Sequence, residues 1–95
     1  YNVLQIDGPV GEVMSLEPVA EKWKAFGWEV MEIDGHDIKE IIKAVTYSKG
    51  IKDAPTMIIA KTTKGKGVSF MENQVDWHGN APKAEQVEQA LKDLA

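Results

Sequence analysis

Apolar and polar positions along this chain change period several times, and each change marks an element. Val3-Leu4-Gln5-Ile6 reads as a short strand end, closed by the turn pair Asp7-Gly8. Leu16, Val19, Ala20, Trp23 and Phe26 then recur at helical spacing, which predicts a helix from Glu17 to Phe26. Pro18 suits its first turn, and Gly27 suits the left-handed position just past its end. Trp28 to Ile33 alternates as a strand does, and Asp34-Gly35 ends it. Ile38, Ile41, Ile42 and Val45 place a branched stripe on one face of a second helix. Asp37 with Glu40 resembles a capping box at its start, and Gly50 stops it. The apolar run Thr56 to Lys61 is the next strand. After the loop 62–81, Pro82 opens a last helix whose Val87, Ala90, Leu91 and Leu94 share a face.

The order is strand, helix, strand, helix, strand, loop, helix. Such alternation predicts an α/β fold, a parallel sheet with flanking helices. Three strands are few for such a sheet, which normally covers both faces. Met57-Ile58-Ile59-Ala60 has the character of a strand buried on both sides, so its partners are expected from outside this chain. Residues 1–95 therefore read as one portion of a larger α/β domain. The start at Tyr1, with no initiator methionine, fits an excised piece or a processed start.

Composition narrows the functional classes. At 43% hydrophobic and 27% charged, the chain has the make-up of a folded globular domain. Fifteen acids against eleven bases leave a net charge of −4, without the basic surplus that nucleic-acid binding requires. No apolar run approaches the roughly 20 residues of a membrane span. With no cysteine there are no disulfides and no thiolate metal sites, and a cytoplasmic location is the expectation.

The segment with most chemistry is Lys61-Thr-Thr-Lys-Gly-Lys-Gly67, followed by Trp77-His78-Gly79. A strand opening into a glycine- and lysine-rich loop is a common way to offer backbone N–H and ammonium groups to a phosphate. The segment is not a Walker A motif, and Phe70 stands where the dinucleotide fingerprint needs its third glycine. A solvated turn is the plainer reading, but a loop this long is usually functional or disordered. His78 is a candidate polar partner in the same pocket. Ser69, Asp76 and His78 would be a triad only on paper, since nothing like a nucleophile elbow surrounds Ser69. His36 and His78 lack zinc-ligand spacing, and His36 beside Asp37 fits a capping arrangement. The amide oxygen of Asn2 and the carbonyl of Leu4 could face one hard cation such as Mg²⁺, although a frayed terminus is the plainer reading of these residues alone.

Taken together, Asn2-Val-Leu-Gln-Ile-Asp-Gly8, Lys22-Trp-Lys-Ala-Phe-Gly-Trp28, Ile33-Asp-Gly-His-Asp37, Lys61 to Gly67 and Trp77-His-Gly79 resemble transketolase. They look like the last third of its domain for thiamine diphosphate, with phrasing similar to the N-terminal section of split transketolases. The resemblance implies that Asn2 binds Mg²⁺ through its side-chain oxygen and lies near the diphosphate. It implies that Leu4 gives a backbone carbonyl to the same metal and that Ile6 touches the cofactor. It further implies that Lys64 contacts the cofactor, and that His78 reaches both its diphosphate and the sugar substrate in a catalytic role.

The implied activity is transfer of a two-carbon ketol unit between sugar phosphates, with the chain inactive alone. The implied partner is the remainder of the enzyme, including the pyrimidine-binding subunit or domain, in a homo- or hetero-oligomer. The family's Gly-Asp-Gly segment, whose aspartate is a further Mg²⁺ ligand, does not occur in residues 1–95. Asn80 also stands where some relatives carry lysine. Deoxyxylulose-phosphate synthase shares a Lys-Gly-Lys-Gly before His-Gly and is the alternative within the superfamily. A non-catalytic phosphate-binding α/β module is the alternative outside it.

Overall fold

The computed structural model describes residues 1–95. They form two compact units: Tyr1 with Ser15–Thr62, and Asn2–Met14 with Thr63–Ala95.

The first unit is a βαβ arrangement. Strand β3 (Glu29–Asp34) and strand β4 (Thr56–Lys61) pair in parallel, with Val30 opposite Met57 and Ile33 opposite Ala60. Helix α3 (Ile38–Ser48) connects them, as a parallel pair requires. Its start is set locally, because Asp37 Oδ1 accepts from the N–H groups of Lys39 at 2.7 Å and Glu40 at 3.4 Å. The reciprocal half of the expected capping box is absent. Glu40 instead reaches back to accept the Asp34 N–H at 2.7 Å, tying the helix to the end of β3. Helix α2 (Val19–Ala25) is shorter than expected, with Pro18 just before its first turn. Gly27 takes the expected left-handed conformation at φ 82°. Beyond it the Trp23 and Trp28 rings meet edge-on, 4.8 Å apart.

The second unit departs from the expected order. Strand β1 (Leu4–Gln5) does not join the parallel sheet. It folds back against β2 (Gly8–Pro9) as a two-residue antiparallel hairpin. A one-turn helix α1 (Val10–Val13) follows, and α4 (Ala84–Asp93) closes the chain. The start of α4 is fastened by Gln86, whose Oε1 accepts from the Lys83 N–H at 2.8 Å.

Each unit has a small interior. Ala44 and Ile59 are buried in the first, Val10 and Val68 in the second. The branched stripe of α3 is not covered: Ile38, Ile42 and Val45 are exposed, while Ala44 takes the buried position. Of the stripe only Ile41 is half-buried, so the side of α3 turned inward is that of Ile41 and Ala44. On β4 only Ile59 is buried, and Met57, Ile58 and Ala60 are half-buried. The expected face of α4 is likewise open at Val87, Leu91 and Leu94, as are Leu16 and Phe26 beside α2.

Candidate functional site

The chemistry-bearing residues of the second unit are positioned by three local devices. The first is a turn at Asn2. Its Oδ1 accepts the Leu4 N–H at 3.1 Å, which closes a side-chain turn and swings Val3 to φ 56°. A branched residue rarely adopts that conformation. The Val3 carbonyl is held in turn by the Val10 N–H at 2.9 Å. The bend fixes Leu4 and Gln5 relative to Asn2.

The second device is the loop that begins at Thr63. Lys66 N–H donates to the Thr63 carbonyl at 3.2 Å, and Val68 N–H to that of Gly65 at 3.1 Å. Gly67 N–H donates to Glu72 Oε1 at 2.9 Å, and Asn73 N–H to the Lys64 carbonyl at 2.9 Å. Gly65 and Gly67 supply the left-handed corners at φ 70° and φ 91°. Three of the backbone amides of this stretch are therefore not free to meet a phosphate. The amides at 66, 67 and 68 are already committed to the loop's own carbonyls and carboxylate.

What remains is side-chain charge, and it is unevenly available. Lys61 pairs with Glu32 at 3.1 Å and Lys66 lies 3.9 Å from Glu72. Within the second unit no carboxylate lies within ion-pair distance of Lys64. Of the three lysines of the motif, Lys61 and Lys66 each have a carboxylate partner, and Lys64 has none in its own unit.

The third device presents His78. A 3₁₀ turn over Val75–His78 ends at Gly79. Trp77 anchors it by donating Nε1–H to the Phe70 carbonyl at 3.1 Å and by packing edge-on against the Phe70 ring, with centroids 5.4 Å apart. With its neighbour anchored, His78 stays exposed at the surface. Ser69 is engaged elsewhere: its hydroxyl donates to Asp93 Oδ2 at 2.7 Å. The paper triad with Asp76 and His78 is not formed.

Asn2, Leu4, Gln5, Lys64, Val75 and His78 line one concavity of about 30 Å³. Four of the five expected site residues are thus brought together. The fifth, Ile6, is exposed and outside the lining. Gln5 and Val75 line the concavity without having been singled out in the sequence. Neither has a local signature in the sequence that marks it as a lining residue. A larger open groove of about 430 Å³ lies beside α3 in the first unit, lined by Met31, Ile33, Ala44, Tyr47 and charged neighbours. None of the five expected residues belongs to it.

A volume of about 30 Å³ holds little more than one water-sized group, against the several hundred of a typical ligand pocket. The concavity is a corner, not a complete site. Its donor set suits a metal–phosphate pair. The Asn2 amide oxygen keeps a second lone pair after accepting from Leu4, and oxygen donors suit a hard cation. No carboxylate lines the corner, so most of the neutralising charge for a cation would come from phosphate oxygens. Lys64 then offsets the surplus negative charge.

Over residues 1–95 the chain matches the family model described as "Transketolase, thiamine diphosphate binding domain". It belongs to that family. One of the subunits of the apulose-4-phosphate transketolase of Phocaeicola vulgatus is 44% identical over 94 residues, which cover 99% of this chain and 34% of that protein. The 6-deoxy-6-sulfo-D-fructose transketolase subunit SqwG of a Clostridium species is also 44% identical, with the same coverage. The crystal structure of transketolase from Campylobacter jejuni superposes with a TM-score of 0.86 at 37% identity, over 96% of this chain and 14% of that one. The chain thus spans about a third of the length of these curated relatives. The family agrees with the transketolase resemblance of the motifs and with the α/β class. No helix is long and apolar enough to cross a membrane.

Proposed function

We propose that this chain supplies the metal-and-diphosphate wall of a transketolase active site. The complete enzyme transfers a two-carbon ketol unit from a ketose phosphate to an aldose phosphate in the cytoplasm. The observation that carries this reading is the convergence of Asn2, Leu4, Lys64 and His78 on one concavity. In this reading the Asn2 side-chain oxygen and the Leu4 carbonyl hold Mg²⁺, and the Lys64 ammonium balances the diphosphate. Ile6 touches the cofactor from the hairpin turn. Thiamine diphosphate, when bound, supplies the nucleophilic carbon and electron sink that ketol transfer needs. His78 has the solvent-facing position to receive a sugar hydroxyl, orient it and move its proton.

The corner is too small to enclose a cofactor, which supports a site completed by other parts of the enzyme. Two relatives are named as transketolase subunits, which supports a separate polypeptide as the partner. The 95 residues alone are then inactive.

The test uses the full-length protein assembled with its partner. His78→Ala is expected to lower ketol transfer about 100-fold, the lower end of what a positioned proton-transfer group contributes. Because His78 is exposed, the unfolding midpoint should stay close to wild type. Unchanged turnover would refute the role of His78. In calorimetry the isolated chain should show no tight binding of thiamine diphosphate with Mg²⁺. Micromolar binding would overturn the view of the chain as one wall.

A further inference from the structure

The C-terminal helix makes one contact that neither the family match nor the motifs account for. Ser69, at the far side of the loop from Lys64, donates both its backbone N–H and its hydroxyl to Asp93 Oδ2, at 2.8 and 2.7 Å. Asp93 Oδ1 accepts from Gln89 Nε2 at 2.6 Å, so the carboxylate is oriented from its own helix as well. Leu94, the next residue, lies beside the loop at Gly67, its Cδ2 standing 3.0 Å from where a Cβ at 67 would lie. The bond spans 24 residues of sequence and joins α4 to the midpoint of the loop. From Ser69 the constraint passes through Val68, which is buried and bonded back to Gly65. It reaches Lys64 through the Asn73 N–H on the Lys64 carbonyl.

We propose that Asp93 is a positioning residue for the diphosphate corner. By clamping Ser69 it holds the closed loop in one place and so holds the Lys64 ammonium at the cavity edge. The proposal rests on the reading of that cavity as a diphosphate corner. Two charge-assisted hydrogen bonds converge on one carboxylate oxygen, and each is stronger than its neutral counterpart. These bonds to Ser69 and Gln89 also hold the Asp93 carboxyl below its ordinary range, so the clamp is charged throughout the neutral region.

The experiment compares D93A, D93N, S69A and K64Q in the full-length protein with its partner. In D93A the thiamine diphosphate concentration for half-maximal activity should rise about tenfold at saturating Mg²⁺, with kcat at saturating cofactor within about twofold. D93N, which keeps an oxygen for Ser69, should stay within about threefold of wild type. Adding S69A to D93A should weaken binding no further, as expected of two residues in one interaction.

Hydrogen exchange without cofactor gives a readout independent of turnover. Protection of the Ser69 and Asn73 amides should fall about tenfold in D93A, while that of the β4 amides stays unchanged. If D93A fails to fold, S69A alone carries the test, with a smaller rise of about threefold expected. Unchanged half-saturation and unchanged exchange, or a fall in kcat with half-saturation intact, would overturn the proposal. If K64Q weakens cofactor binding and D93A does not, the cavity reading stands and the role of Asp93 falls. If wild type binds no thiamine diphosphate while D93A still loosens the loop, the cavity reading falls, and the proposed effect on the cofactor falls with it.

Discussion

The tightest point of the loop is Gly65, and replacing it with alanine tests how the Lys64 turn is built. A Cβ built at Gly65 lies 2.6 Å from the backbone carbon and oxygen of Met71, at φ 70°. The left-handed backbone costs an alanine about 1–2 kcal/mol. Contact with backbone that cannot swing aside adds about 1–3 kcal/mol. Reduced freedom of the unfolded chain returns about 0.5 kcal/mol, leaving a destabilisation of about 1.5–4.5 kcal/mol.

Gly67 is the internal comparison, because it shares the loop and also has positive φ. Its built Cβ meets only Leu94 Cδ2 at 3.0 Å, the end of a side chain that is 62% exposed and free to turn outward. Gly67→Ala should therefore cost about 1 kcal/mol, the backbone share alone. Urea unfolding followed by the fluorescence of Trp77, which packs on Phe70 within the same unit, reads both variants. If the two substitutions agree within about 0.5 kcal/mol, the close approach of residues 65 and 71 carries no energy and the loop closure described above is wrong.

Two further outcomes follow from positions outside that loop. Val3 at φ 56° is 51% exposed, so Val3→Asn relieves a strained branched residue while giving up little buried surface. A gain of about 1 kcal/mol in the urea midpoint analysis is expected, and a loss of that size would show that the Val3 methyls matter more than its backbone. The Tyr1 hydroxyl donates to Glu17 Oε1 at 2.7 Å; that bond raises the Tyr1 pKa and, together with the Val19 N–H, lowers that of Glu17. The Glu17 contribution is present above its unfolded value near 4.5 and is lost as pH falls through the lowered folded value. The Tyr1 contribution is present below its unfolded value of 10.0 and is lost as pH rises through the raised one. The stability difference between wild type and Tyr1→Phe should be flat across the neutral range and close at both ends. A difference independent of pH would refute the assignment.

How much of this was legible in the sequence depended on the range of the signal. Helix α3 and strand β4 were readable because Asp37, Gly50 and the run Thr56–Lys61 act on their own neighbours. The first strand misled because two residues cannot reveal their partner, and the Asn2 turn directs them into a hairpin and away from the parallel sheet. Periodicity marked the apolar faces of α3 and α4 correctly as stripes, but a stripe does not say what covers it. At the site, residue types were readable and their availability was not. Lys61, Lys64 and Lys66 look alike in sequence, and only the placement of Glu32 and Glu72 separates them. The Ser69–Asp93 bond could not be found, since both residues are ordinary in their own surroundings.

The self-bonded loop has a consequence for how an anion would be held. An anion site whose chain becomes ordered only when the ligand arrives must offset the lost chain entropy. Here the chain around Lys64 is ordered beforehand by bonds that no ligand needs to break. What the loop presents is a single cation on a stiff base, placed before any anion arrives. Ions in solution screen its attraction readily. Affinity at this corner should therefore weaken with ionic strength, by the modest slope that one cation allows. Discrimination among ligands would then belong to the oxygen donors of the Asn2 turn.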